Sequence, residues 1–317
     1  MIPRESYVKV IYDNLNNQKI LKKLVPLSLQ EDPNPPHFGK KNMISHDLKD
    51  LYPKSIELEK SKISRGVRNY LHSLGFMESY FQKLLPGTAA QGGAQVFNIK
   101  EHHKTLSQSP QLEKQRIVNK GIGRVYSLGN SFRAENHKTT RHHQEFLMID
   151  LQMSTRNLNT VINVVKGVVK AAAKSVGVKV QDKDFRKISY GKVCELIGKP
   201  YLDRAGELEV FNHFSEDYLF ITDYPEEERP FYSDPNNNFD LLHRRMELAS
   251  GGLRVMDPTK LVSTLESRGL SSENFEEYLQ SFRHGVSGSG GAGIGFNRLV
   301  MVLLNLPSID QTTFYWV

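Results

Sequence analysis

Cysteine is almost missing from this chain, with Cys194 alone among 317 residues. One thiol excludes an intrachain disulfide and a cysteine-rich metal site, and a reducing, cytoplasmic setting is expected. Long apolar runs are missing too. No stretch approaches the ~20 residues that span a bilayer, so no membrane partner is expected. The opening residues, MIPRESYVKV, carry no basic-then-apolar leader. Acidic residues are scarce over the first two-thirds. Residues 1–200 hold 33 Lys+Arg against 17 Asp+Glu, a balance of +16, while residues 201–317 hold 9 against 18, or −9. A basic region of that size suits a polyanionic partner such as a nucleic acid, although a solvated lysine-rich surface gives the same count. With 38% hydrophobic and 24% charged residues, the chain has the composition of a folded globular protein.

Residues 1–50 read as a polar, irregular segment with a linker at QEDPNPPHFGKKN, Gln30–Asn42. They leave no room for a complete extra domain, so one domain over 51–317 is expected. Ile63, Val67, Tyr70, Leu71 and Leu74 recur at three- and four-residue steps and predict a helix over 55–74, stopped by Gly75. The stripe Val161, Val164, Val165, Val168, Val169 and Ala172 predicts another over 159–176. Between them lie short strand-like runs with turn residues, which suggest antiparallel pairing. Asp217–Pro225 reads as a buried strand and Ser271–Gly285 as a capped helix. Gly288–Gly295 reads as a glycine-rich loop feeding a helix that starts FNRLVMVLL. Helices and strands mixed without βαβ alternation predict an α+β fold.

The run SFRAENHKTTRHHQEFLMIDLQM, Ser131–Met153, reads as strand, turn and strand. Arg133 and Glu135, two residues apart, share a face, and the return strand brings Arg141, Glu145 and Phe146. Guanidinium groups contact phosphate oxygens bidentately and a flat ring stacks on a base, so such a hairpin suits a nucleotide. A solvated charged hairpin with Phe146 turned into the core fits the same pattern. LSQSPQLEKQ, Leu106–Gln115, offers amides, hydroxyls and one lysine, a composition suited to a small polar carboxylate. SGSGGAGIGFNRLV, Ser287–Val300, allows close backbone approach and presents Arg298 early in a helix. Its spacing is not that of a dinucleotide fingerprint. His102, His103, His137, His142 and His143 have no cysteine beside them and fall in separate elements, which argues against a histidine metal site.

In order and spacing these segments resemble the catalytic domain of class II aminoacyl-tRNA synthetases, and within it the aspartyl enzymes. FRAE…T.RH..EF…D is similar to motif 2, GAGIG..RLVM to motif 3, and QSPQLEKQ to the QSPQLYKQ of aspartyl enzymes; ITDYP….RPFY and ELASGGLRVMDP also have counterparts there. The resemblance implies an antiparallel sheet flanked by helices, activation of aspartate with ATP, transfer to tRNA, and a homodimer. It implies that Arg133 contacts the α-phosphate and that Glu135 places the adenine or the terminal nucleotide. Phe146 and Arg298 would take the two faces of the adenine, with Arg141 and His142 at the terminal phosphates. Asp240, Glu247 and Ser250 would hold Mg2+, an ion of oxygen ligands. Lys114 and Arg254 would grip the side-chain carboxylate of aspartate, and Gln111 its backbone.

Several positions depart from the family pattern. Gln91 stands where a glutamate receives the substrate ammonium, Ser289 replaces a histidine, and Asn297 a glutamate. Gln82 replaces the motif 1 proline, and Arg245 and Met246 stand beside Glu247 in place of Gly and Glu. The anticodon-binding barrel is expected to be absent or reduced to a fragment in residues 1–50. Two alternatives to the tRNA ligase therefore stay open: an impaired paralogue that binds or regulates, and an aspartate-activating enzyme with another acceptor.

Overall fold

The computed structural model describes residues 7–15, 18–27, 54–86, 95–134, 142–244, 246–283 and 285–313, with side chains from residue 56 onward. By internal contacts the chain divides into Met1–Lys54 and Ser55–Val317. In the first unit β1 (Tyr7–Leu15) and β2 (Gln18–Leu27) pair as an antiparallel hairpin with a bulge at Ile11/Tyr12. The irregular segment expected there is thus partly regular. Tyr7, Val8, Val10, Ile11 and Tyr12 have the β-branched and aromatic character that favours strands, whatever the polarity around them. The linker at Gln30–Asn42 lies outside the described residues.

The second unit opens with α1 (Lys54–Ser73), whose Ile63, Val67 and Leu71 are fully buried. Gly75 ends it with φ +77°, a conformation that costs glycine nothing. Next come β3 (Met77–Glu78), β4 (Leu84–Pro86), β5 (Asn98–Ile99) and β6 (Lys104–Leu106). The last three form a small antiparallel sheet in the order β4-β6-β5. There follow α2 (Gln111–Asn119), β7 (Arg124–Phe132), β8 (Glu145–Ser154), α3 (Leu158–Ser175), β9 (Phe185–Ser189), α4 (Tyr190–Ile197) and α5 (Arg204–Glu209). The chain continues through β10 (Tyr218–Thr222), β11 (Ser233–His243), β12 (Met246–Arg254), α6 (Pro258–Ser267), α7 (Glu276–Gln280), β13 (Ser289–Gly295) and α8 (Phe296–Leu303).

Eight strands make one sheet in the order β3-β7-β8-β13-β12-β11-β10-β9. Pairing is antiparallel except at the edges, where β3/β7 and β9/β10 run parallel. This is the α+β architecture that the mixed pattern predicts. Alternation along β8 separates two faces. Ile149, Leu151 and Met153 join α1, α3 and α8 in the main core, whereas Met148 and Asp150 face a cleft on the opposite side.

Two segments differ from expectation. The glycine-rich stretch is not a loop but β13, a central buried strand between β8 and β12. A Cβ on Gly291 would stand 2.2 Å from the Leu151 carbonyl oxygen and 2.4 Å from Gln152 Oε1. Glycine is needed here for close approach to neighbouring strands rather than for a turn. The helix expected over 271–285 is a 3-10 turn, Ser272–Phe275, followed by the five-residue α7. Its apolar residues Phe275, Tyr278 and Phe282 are buried together in a satellite core, as their spacing implies.

Candidate active site

Register builds the cleft from the front face of the sheet. Ser131, Gly129 and Ser127 of β7 oppose Phe146, Met148 and Asp150 of β8, so these pairs share the cleft face. Arg133 lies just past β7, anchored by its backbone N–H to the Gln144 carbonyl at 2.8 Å. Its guanidinium lies 5.3 Å from the centroid of Phe146, and among the described residues its Nε has no hydrogen-bond partner. Phe146 is half-buried at the cleft wall, not turned into the core.

β11 and β12 contribute the acidic end. Asp240 and Ser250 are register partners and share a face. Glu247 is three residues from Ser250, which in a regular strand would put it on the other side. A bulge intervenes: Leu241 opposes Ala249 but Leu242 opposes Glu247, leaving Leu248 as the extra residue. Glu247 therefore faces the same way as Asp240 and Ser250. Burial raises the Glu247 pKa against the opposing pull of Arg298. Arg298, in the first turn of α8, donates from Nη1 to the Glu247 carbonyl at 3.0 Å and lies 3.6 Å from its carboxylate.

At the floor is a closed buried network. Arg254 donates to Gln111 Oε1 at 3.0 Å and to Gln152 Oε1 at 3.3 Å, and Gln111 Nε2 also reaches Gln152 Oε1 at 3.3 Å. Gln152 Nε2 donates to Ser289 Oγ at 2.9 Å, which gives that serine a defined partner. Among the described residues no carboxylate forms an ion pair with Arg254. Burial lowers its pKa, yet arginine keeps its charge in proteins.

Lys114 sits differently from the grip expected of it. It is fully buried beneath the cleft with Nζ 3.0 Å from Asp150 Oδ1. Burial lowers its pKa while Asp150 opposes that shift. Its charge is thus already answered within the chain. Arg133, His142, Phe146, Gln111, Glu247, Ser250, Arg254 and Arg298 all line the one cleft. Glu135, Arg141 and Gln91 lie outside the described residues. Asn297 is buried in a structural role: its Oδ1 accepts from Leu147 N–H at 2.7 Å and its Nδ2 donates to Thr312 Oγ1 at 2.9 Å.

No motif or periodicity in the sequence assigns a role to Asp150, Gln152 or Arg229. Asp150 and Gln152 stand four and six residues beyond Phe146, an even spacing that places all three on one face. Arg229 lies within the RPFY segment that resembles the family. Its Nη1 donates to Asp240 Oδ1 at 2.7 Å and Ser250 Oγ at 2.9 Å, with the guanidinium carbon 3.8 Å from the Tyr224 ring centroid. Asp240, Glu247 and Ser250 are donors of the oxygen type that Mg2+ takes. As arranged, however, two of the three share an arginine nitrogen, so they do not form an open cradle for that ion.

The family described as tRNA synthetases class II (D, K and N) matches residues 45–316. The Aspartate--tRNA(Asp) ligase of Thermoplasma volcanium is 33% identical over 298 residues, covering 85% of this chain and 69% of that protein. The Aspartate--tRNA(Asp/Asn) ligase of Methanococcoides burtonii is 32% identical, covering 80% of this chain and 65% of its own length. The chain thus spans about two-thirds of these relatives. Among solved structures, asparaginyl-tRNA synthetase from Pyrococcus horikoshii with asparaginyl-adenylate matches with TM-score 0.74 at 25% identity, covering 93% of this chain and 77% of that one. Aspartyl-tRNA synthetase from Entamoeba histolytica matches with TM-score 0.70 at 25% identity, covering 90% and 64%. The arginine-lined cleft on an antiparallel sheet and these matches over most of the chain agree, and the protein belongs to the class II aminoacyl-tRNA synthetases, a family of ligases.

Proposed function

We propose that the chain activates aspartate with ATP and transfers the aspartyl group to tRNA. The observation that carries the substrate choice is Arg254, a buried guanidinium whose hydrogen-bond partners among the described residues are the neutral amides of Gln111 and Gln152, with the Tyr232 ring centroid 5.4 Å away. A buried charge without a counter-charge is costly, and a ligand carboxylate would offset that cost. In the first step an α-carboxylate oxygen attacks the α-phosphorus of ATP, and pyrophosphate leaves as aspartyl-adenylate forms. Arg133, beside Phe146, would counter the charge that develops on the α-phosphate. Phe146 and Arg298 flank the space for the adenine. In the second step a terminal tRNA hydroxyl attacks the acyl carbon and AMP leaves. Homodimer formation belongs to the same proposal, supported by the exposed apolar residues Met77, Tyr80 and Leu84.

A second reading, asparagine, draws support from Lys114. With that ammonium paired to Asp150, only Arg254 of the two expected carboxylate grips lacks an ion pair among the described residues. One experiment decides: pyrophosphate exchange into ATP, dependent on aspartate, with asparagine as control. Exchange with aspartate alone is expected, and exchange with asparagine alone would overturn the choice. In Arg254→Leu, KM for aspartate should rise by on the order of 10²–10³ with nucleotide affinity unchanged, the cost of removing a buried charged partner. Equal losses in both would count against a carboxylate seat at Arg254.

A further inference from the structure

Arg229 stands where an ion shared by Asp240 and Ser250 would have to approach, with one nitrogen serving both oxygens. The neighbourhood is closed in charge as well. Asp240 has Arg229, Glu247 has Arg298, and Glu207 of α5 has Arg204. Each of these three carboxylates therefore already has a guanidinium, and a divalent cation arriving alone would meet no net negative charge.

The seat of Arg229 is also incomplete. The side chain is only 6% exposed, yet among the described residues its buried Nε and Nη2 have no hydrogen-bond partner. Unmet donors on a buried charged group mark a contact that a better acceptor can replace. A polyphosphate supplies several anionic oxygens at once and suits a guanidinium fork. The main chain would remain fixed during such an exchange, because Arg268 Nη1 donates to the Arg229 carbonyl at 2.7 Å.

We propose that Arg229 closes the Asp240–Ser250 oxygen pair against divalent cations until a polyphosphate draws its guanidinium away, so that metal is held only together with nucleotide. This rests on the reading of the cleft as a nucleotide site. Arg229 is then a positioning residue that sets the order in which ligands can assemble.

The test is direct binding of Mn2+, followed by the spin-resonance signal of the free ion, with the full chain alone and with a non-hydrolysable ATP analogue. The wild-type protein alone should bind no tighter than about 10⁻³ M, the weak end of oxygen-ligand sites, and should bind markedly tighter with the analogue. Without nucleotide, Arg229→Gln should bind Mn2+ at least about tenfold tighter than wild type, while Arg229→Lys, which keeps the cation, should stay weak. Circular dichroism of each variant checks that it is folded. Tight metal binding by the wild type alone, or a folded Arg229→Gln no tighter than wild type, would overturn the proposal. Calorimetry of the analogue without metal tests the nucleotide reading separately, and the nucleotide-free arms still report on Arg229 if that reading fails.

Discussion

Lys114 and Asp150 form an ion pair with almost no access to water, the lysine fully buried and the aspartate side chain 5% exposed. Such pairs contribute little net stability, because desolvation offsets their attraction, but removing one partner alone is costly. Asp150→Asn should therefore destabilise the fold by about 3–5 kcal/mol in chemical denaturation. The orphaned Lys114 would lose its proton more readily when folded than when unfolded. Its folded pKa, already lowered by burial, would drop further with the opposing Asp150 charge gone. The unfolded state then binds more protons, so stability of the mutant should climb as pH rises towards the ordinary lysine range. A double change, Lys114→Met with Asp150→Leu, should recover most of the loss. If the single mutant is as stable as wild type, or its stability does not depend on pH, the pair is not the buried unit described. The lysine was legible in the QSPQLEKQ segment and the aspartate closes the motif 2 pattern, but their pairing was not legible, since the two lie 36 residues apart and meet only through the packing of α2 on β8. The same holds for Arg229 and Asp240, joined across an edge of the cleft by no periodicity that a sequence displays.

Among the elements, the two long helices α1 and α3 were readable, while β13 and the broken helix over 271–285 were not. α1 and α3 carry apolar stripes at helical spacing, and the structure buries those stripes, so the sequence period and the packing agree. β13 has no such signal. Its SGGAGIG composition lacks the β-branched and aromatic residues that mark strands, and glycine weakens a strand taken alone. What selects glycine is the closeness of β8 and β12, which a sequence does not show. The bulge at Leu248 is hidden for the same reason, and it alone brings Glu247 round to the cleft. Gly291→Ala sharpens this account, because the added methyl would press on the backbone of Leu151 rather than on a flexible side-chain tip. A loss of about 1–3 kcal/mol or more is expected from that overpacking, read as a fall in the unfolding midpoint. The Gln152 amide, the second atom in the way, should shift as well and loosen Arg254, so aspartate KM should rise with it. An alanine variant as stable as wild type would mean that the strands can separate and that glycine is not required there.

For the molecule as a whole, the sheet has an edge at β3, and the chain beside it is apolar and open. Met77 is 42% exposed, Tyr80 86% and Leu84 48%, while Gln82 between them is also exposed. Single exposed apolar residues are ordinary, but a run of them beside a sheet edge is a surface that favours a partner. A second copy of the chain, as proposed, would bury this run and add contacts along the edge. The basic bias of residues 1–200 is no obstacle locally, since the acidic Glu78 on β3 is already paired with Arg68 at 3.0 Å. Light scattering of the full chain at tens of micromolar, roughly the range in which a standard-size interface is occupied, should give the mass of a dimer. Tyr80→Asp combined with Met77→Lys should shift it to a monomer, because each charge would have to be desolvated at the interface. Neither residue lines the cleft, so the folded monomer should keep its nucleotide affinity even if its turnover falls. A wild-type chain that stays monomeric at that concentration would remove the dimer from the proposal, and a double mutant that stays dimeric would move the interface elsewhere on the surface.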